Sequence, residues 1–475
     1  HLSIRRQRQM CIRDRWNTVT FTISVPDDKF YYALYFESYN GNGNDDIYLD
    51  NITLTKTLQT NPDKTIDSLK DTYKDVFPIV GVGAGIASIL GKNGSEFISQ
   101  QYNAVTPGNE MKPDAILGST IGKLVKPTDE VSADKTDFIT VEDAKSMGYI
   151  IPDNYISYDD NRFKSATGEY AVPRLNFDNV DKIMKAAHEK GVKLRGHTLV
   201  WHQQTPKYFF QQNYKITTGQ KYNTSKECMD TRLEFYVKTV MNHVLSSEYA
   251  DCLYSYDVVN EYLHSANAEK DSKNITYWGL IYGTYDKSVK DHGVTLRPSY
   301  VKDAFKYAHE MLVKYDRLDV KLIYNDYNCY QNPENIIHLV DYINSEGKVC
   351  DGIGMQSHLD ITDSFHSATN YAKALEYFRL NCPDLEIQIT ELDATMVSTE
   401  DKPLTDEDQA AYYDQIMNAI LTNKKNGGNI TALIIWSLYD GVSWRPAKFP
   451  CLFNGLYMPK AAFYAVIDAK KQYWD

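Results

Sequence analysis

No stretch of this 475-residue chain reaches the roughly 18 consecutive apolar residues that a helical membrane span requires. The longest candidate, Pro78–Leu90, is short and interrupted by glycine. A long basic run is also missing, and the net charge is −12, which argues against a nucleic-acid partner. Cysteine is sparse: Cys11, Cys228, Cys252, Cys329, Cys350, Cys382 and Cys451 are scattered, with no C-x-x-C pair, so no zinc site is indicated. Those thiols are compatible with free cysteines or with one to three disulfides. Disorder is excluded by composition, with 43% hydrophobic and 24% charged residues. What is abundant is tyrosine, 37 residues. Its flat apolar face and hydroxyl suit stacking on sugars as well as filling a core.

The first 15 residues read apart from the rest. The chain begins at His1, no signal peptide is visible, and Met10–Arg15 (MCIRDR) resembles the translation of an adapter used in sequencing libraries; an ordinary basic leader is the alternative. Residues 16–56 then alternate polar and apolar around turn signals, as in Thr18–Val25 (TVTFTISV) and Asp46–Thr55 (DIYLDNITLT), which predicts three short strands of a β-sandwich. This stretch, and its closing YLDNITL in particular, resembles the C-terminal portion of a carbohydrate-binding module of the jelly-roll type. Some 40 residues of such a sandwich bury too little to fold alone, so a truncated module is expected.

A polar linker at about 57–66 leads into a different rhythm. Strand-like runs at Ile79–Ile86, Ala104–Thr106, Lys193–Val200, Leu253–Val259, Lys321–Tyr324, Gly352–Met355, Glu386–Thr390 and Thr431–Trp436 alternate with helical periodicity. Examples are Val180–Lys190, Thr231–Leu245, Tyr300–Lys314, Glu334–Ser345 and Asp406–Lys425. Eight strands alternating with helices over residues 67–475 predict an α/β fold, a (β/α)₈ barrel, whose chemistry sits past the C-terminal strand ends. One insertion, about residues 116–174, breaks the pattern and is expected on that catalytic face.

Polar side chains cluster at those ends. They are Asn109 and Lys112 after strand two; His197, Trp201, His202 and Gln204 at strand three; Asn260 and Glu261 at strand four; and Asn325 at strand five. Gln356 and His358 follow strand six, Glu391 and Asp393 strand seven, and Trp436, Asp440 and Trp444 strand eight. Any one of these is readily structural, but a scaffold has no reason to end so many strands this way. Two of them, Glu261 and Glu391, supply the carboxylate pair that glycoside hydrolysis needs: a proton donor on one side and a negative charge on the other. The competing reading is two independent structural ion pairs.

The segments RGHTLVWHQQTP (Arg195–Pro206), DVVNE (Asp257–Glu261), DGIGMQSHL (Asp351–Leu359), ITELD (Ile389–Asp393) and WSLYDGVSWR (Trp436–Arg445) resemble glycoside hydrolase family 10, the endo-β-1,4-xylanases. The resemblance implies a retaining double displacement, with Glu261 as general acid/base and Glu391 as nucleophile. It implies that His358 and Asp393 orient the nucleophile and that Asn260 bonds the sugar 2-hydroxyl. Asn109, Lys112, His197, Trp201, Gln204 and Gln356 would then line the binding wall, with Trp436 and Trp444 forming an aromatic cage around a pentose.

The chain also departs from the family pattern. Gly108 and Pro113 stand where glutamate and tryptophan are usual, and Ser437 replaces a glycine, a change expected to matter little. The insertion either rebuilds that side of the cleft for decorated xylan or is a tolerated surface addition. Competing functions are a retaining endo-β-glucanase on cellulose or mixed-linkage glucan, and a non-hydrolytic polysaccharide-binding protein. No metal or organic cofactor is implied. The expected partner is xylan or a xylo-oligosaccharide. Because a polymer does not enter a cell, a secreted or surface-displayed monomer is expected, its signal sequence lying upstream.

Overall fold

The structure is a computed structural model that describes residues 62–118, 138–156, 170–214, 223–265, 276–290, 292–397, 404–455 and 457–475. The chain separates into two units at Leu58/Gln59. The expected leader and sandwich segment lie outside the described residues.

Eight strands carry the second unit: β1 (Ile79–Ala84), β2 (Ala104–Pro107), β3 (Lys193–Trp201), β4 (Leu253–Asn260), β5 (Lys321–Asp326), β6 (Gly352–Met355), β7 (Glu386–Thr395) and β8 (Ile430–Trp436). Each is parallel to the next, and β8 closes back on β1 through Ile79↔Ala432 to Gly83↔Trp436. This is the predicted (β/α)₈ barrel. The expected runs locate every strand, several of which extend further, β7 by five residues to Thr395. That extension pairs with an added strand, His358–Asp360, in the register Asp393↔His358. A periodicity argument has no access to this pairing, because two segments 35 residues apart make it.

Outside the barrel, helices lay apolar stripes on the strands. In Asp178–Glu189 the buried Val180, Ile183, Met184 and Ala187 recur at i, i+3, i+4 and i+7. Burial of each large aliphatic contributes about 1.5–3 kcal/mol. The last long helix, Asp406–Lys425, begins at a capping box in which Thr405 and Asp408 satisfy each other's amides, and lysines end it. Among the described residues no helix is long and apolar enough to cross a membrane.

The described residues of the insertion include regular elements. Pro113 sits at the first position of the helix Pro113–Leu117, where a missing N–H costs nothing. Phe138–Thr140 pairs antiparallel with Tyr170–Pro173, and the helix Val141–Ser146 follows. This part anchors on the outer helix Lys226–Ser246, where Thr239 and Thr231 accept from the amides of Ile150 and Ile156 and Tyr155 packs edge-on against Phe235. Phe138 reaches Tyr208 and Tyr214 in the loop after β3, which is on the catalytic face. Residues 119–137 and 157–169 of the insertion lie outside the described residues. The six cysteines from Cys228 to Cys451 are buried.

Candidate active site

The barrel interior supports the site from below. Arg195 on β3 is fully buried; its Nε donates to Asp257 Oδ2 of β4 at 3.0 Å, and its two terminal nitrogens reach Asp257 Oδ1, Gln388 of β7 and Ser255. A buried ion pair is costly unless its remaining hydrogen-bonding capacity is used, and here it is. Asp257 Oδ2 also accepts from His197 Nδ1 at 2.9 Å, so a carboxylate fixes that nitrogen as the donor.

Glu391 sits near the middle of β7. Its Oε1 accepts from Asn325 Nδ2 at 2.8 Å and its Oε2 from His358 Nε2 at 3.0 Å. His358 Nδ1 donates in turn to Asp393 Oδ1 at 2.9 Å. The imidazole therefore lies between two carboxylates. Burial disfavours its charge, but Asp393 and Glu391 outweigh that and raise its pKa. Burial likewise pushes Glu391 up, yet hydrogen bonding from His358 and the nearby His197 and His358 charges win, holding its carboxyl well below the usual range. Glu391 is thus an anion with both oxygens occupied.

Glu261 behaves in the opposite way. It starts the turn Tyr262–His264 in a left-handed conformation, φ 57°. Gln356 Nε2 donates to its Oε1 at 2.9 Å and Trp201 Nε1 to its Oε2 at 2.8 Å. Burial raises its pKa most; those two hydrogen bonds pull it down, and the charges of Asp326 and then Glu391 add to the rise. Desolvation and the Asp326 charge both raise it more than the Glu391 charge does.

Between the two glutamates, Asn260 Oδ1 accepts from Asn325 Nδ2 at 2.9 Å and from Gln356 Nε2 at 3.1 Å. Its oxygen is thereby engaged twice. Asn325 fits this position because Gly354 faces it: a Cβ there would lie 2.3 Å from Asn325 Oδ1.

The remaining predicted residues line the same mouth. Lys112 Nζ lies 4.9 Å over the Trp201 ring and 3.4 Å from Asn109 Oδ1, and Gln204 Nε2 also donates to Asn109 at 3.3 Å. Trp436 meets His197 and His358 edge-on at 6.0 Å each. Trp444 tilts on His358 at 4.7 Å while its Nε1 donates to Asp393 Oδ2 at 2.8 Å. Asp440 takes a different role, pairing with Lys460 at 3.2 Å and accepting from the Cys451 amide. It ties the loop after β8 together and makes no contact with the carboxylate pair. Ser437 corrects an expectation: its φ is 83°, a left-handed position where glycine is the unstrained choice. Asn325 was visible only as a polar strand end, without a partner. Asp326 and His264 escaped the sequence reading altogether, since a lone Asp after a strand carries no signal of what it touches. Among the described residues no group of three or more His, Cys, Asp or Glu side chains is arranged to hold a metal.

A barrel whose strand ends present one buried carboxylate held ionised and another biased toward its protonated form is the equipment of a glycoside hydrolase. The chain belongs to glycosyl hydrolase family 10, which it matches over residues 68–469. It is similar to endo-1,4-beta-xylanase A of Butyrivibrio fibrisolvens, 39% identical over 373 residues that cover 78% of this chain and 77% of that protein. The bifunctional endo-1,4-beta-xylanase XylA of Ruminococcus flavefaciens is 30% identical over 85% of this chain, which spans 34% of that protein's length. Among solved structures, the CBM22-1–GH10 modules of Clostridium thermocellum endo-1,4-beta-D-xylanase 10B, complexed with xylohexaose, superpose with a TM-score of 0.61 at 26% identity. That match covers 86% of this chain and 68% of the other.

Proposed function

We propose that this chain is a retaining endo-1,4-β-xylanase that cleaves internal bonds of xylan, acting as a monomer outside the cell. The observation that carries the reading is the opposite bias of the two glutamates: Glu391 is held as an anion by His358 and Asn325, while burial favours a proton on Glu261. The names of its relatives and the xylohexaose in the similar structure support xylan as the substrate.

In the first step Glu391 attacks the anomeric carbon as Glu261 gives its proton to the leaving glycosidic oxygen. The C–O bond breaks, and a glycosyl-enzyme and a shortened chain result. Glu391 is now an ester, so its charge no longer raises the Glu261 pKa, and Glu261 accepts a proton from the water that releases the sugar. His358, anchored by Asp393, keeps its hydrogen bond on Glu391 through both steps. In this reading Asn260 donates to the 2-hydroxyl beside the reacting carbon. The bulk of Trp436 and Trp444, in the same reading, excludes the hydroxymethyl group of a hexose.

The test is reducing-sugar release from xylan, mixed-linkage glucan and carboxymethyl cellulose, with Glu391→Ala as the blank. Activity on xylan alone, absent from the variant, is expected. A β-configured first product by NMR would support retention, for which the carboxyl groups must stand about 5–5.5 Å apart. Equal activity on the glucans would sink the substrate assignment. An α-configured first product would sink the mechanism.

A further inference from the structure

At the end of β5, consecutive side chains serve different glutamates. Asn325 donates to Glu391. Asp326, next along and fully buried, engages the turn that carries Glu261. Its Oδ1 accepts from His264 Nδ1 at 2.7 Å and from the Tyr327 amide at 2.9 Å. Its Oδ2 accepts from the Tyr324 hydroxyl, which itself accepts from the Leu263 amide at 3.1 Å. One carboxylate thus holds the Tyr262–His264 turn at two points. Tyr327 stacks on the His264 ring at 3.8 Å and His292 meets it edge-on at 5.3 Å. The turn needs such anchoring, because its first residue, Glu261, has φ 57°, and a left-handed residue persists only when its surroundings over-determine it.

A buried ion pair is a weak stabiliser compared with apolar packing, so stability alone is a poor reason for Asp326 and His264 to stand beside a proton-transferring group. We propose that Asp326 and His264 form a positioning pair for the acid/base: Asp326 holds the Glu261 turn, and the charge balance of the pair sets the pH at which Glu261 loses its proton. The inference rests on Glu261 being the acid/base.

The charged and titratable groups facing Glu261 are Glu391 from β7, Lys112 from the loop after β2, Asp326 and Tyr327 from β5 and its continuation, and His264 on its own turn. His202 faces Asp326 and His264 from just past β3, but burial lowers its pKa to about 4, so it adds no charge near neutrality. Burial disfavours the His264 cation, yet Asp326 outweighs it and raises the pKa. The cation therefore partly neutralises Asp326 as seen from Glu261.

The basic limb of kcat/KM reports loss of the Glu261 proton. His264→Gln keeps a donor for Asp326 and removes the cation, so that limb is expected to move to higher pH. Adding Asp326→Asn to this variant removes the anion and is expected to bring the limb back down by about one pH unit. The acidic limb, which reports Glu391, stays in place in both. A basic limb that does not move while kcat falls evenly at all pH values, or that moves the same way in both variants, would overturn the proposal as a structural role only. If the double variant does not fold, His264→Gln decides alone: an upward shift supports the pair and an unmoved limb overturns it. Independently, Glu261→Ala with azide and an aryl xyloside should yield a β-glycosyl azide. Its absence would remove the acid/base assignment rather than the pairing.

Discussion

Gly83 on β1 pairs directly with Trp436 on β8, and a Cβ at Gly83 would lie 2.4, 2.7 and 2.9 Å from Cε3, Cζ3 and Cδ2 of that indole. Carbon atoms in ordinary contact are about 3.5–4.0 Å apart, so Gly83→Ala requires the ring to shift by about 1 Å or more. Trp436 stands edge-on to His197 and His358, the two imidazoles that bear on Glu391, so the shift disturbs the wall on which the sugar packs in the proposed reading. A misplacement of about 1 Å in a positioning group costs on the order of 10²-fold in rate, and overpacking costs about 1–3 kcal/mol of stability. Steady-state kcat/KM on xylohexaose and urea melts should show both losses. Gly83→Ala/Trp436→Phe, with a smaller ring, is expected to regain stability without regaining activity. Gly85→Ala is the control: the nearest atom to its added Cβ is Glu110 Oε1 at 3.9 Å, and stability should stay within about 0.5 kcal/mol of the parent. Parental kcat/KM in Gly83→Ala would refute the argument, because the indole would then tolerate displacement.

Three other outcomes are expected. Asn325→Ala removes the donor to Glu391 Oε1; the Glu391 pKa rises, the acidic limb of kcat/KM moves to higher pH, and a lost hydrogen bond to a charged group, about 1.5–3 kcal/mol, predicts a drop of roughly ten- to a hundredfold. An unmoved acidic limb would count against that role. Ser437→Gly relieves a left-handed residue at φ 83°, a strain of about 1–2 kcal/mol, against about 0.5–1 kcal/mol of added chain entropy; a small rise in Tm by calorimetry is expected, and a clear fall would show that the serine is held by something other than its backbone. The His358–Glu391 pair also fixes a pH window. Glu391's lowered pKa contributes stability above about pH 4.3 that is lost as pH falls through its folded pKa, and His358's raised pKa contributes stability below about pH 6.5 that is lost as pH rises through its folded value. Urea melts should therefore show the pair's full contribution between those limits; His358→Gln should lower stability there and flatten the falls on either side. A variant profile parallel to the parent's would refute the coupling.

Much of this architecture was legible along the chain because its signals are local. Helical periodicity follows from which face of a cylinder must leave water, so Asp406–Lys425 was bounded at both ends by its own residues, a capping box at one and lysines at the other. The strands were legible as apolar runs between turn residues. Their ends were legible because Glu, Asn, His and Trp in the last positions of buried strands have no packing reason to be there. Extent was less so: β7 continues through Asp393 to Thr395 only because His358–Asp360 arrives to pair with it.

The sequence alone determined the alternation of strand and helix, and hence a barrel, and it put Glu261 just past β4 and Glu391 on β7, on one face; both follow from side-chain type and period, which need no knowledge of distant contacts. Tertiary structure decided what charge each glutamate carries. Glu391 is ionised because His358 and Asn325 converge on it from two other strand ends, and Glu261 is biased toward its proton because it is buried beside Asp326, 65 residues further along the chain. A pKa is a sum over everything within a few ångströms in a medium of low dielectric, and which groups those are is settled only when the strands close.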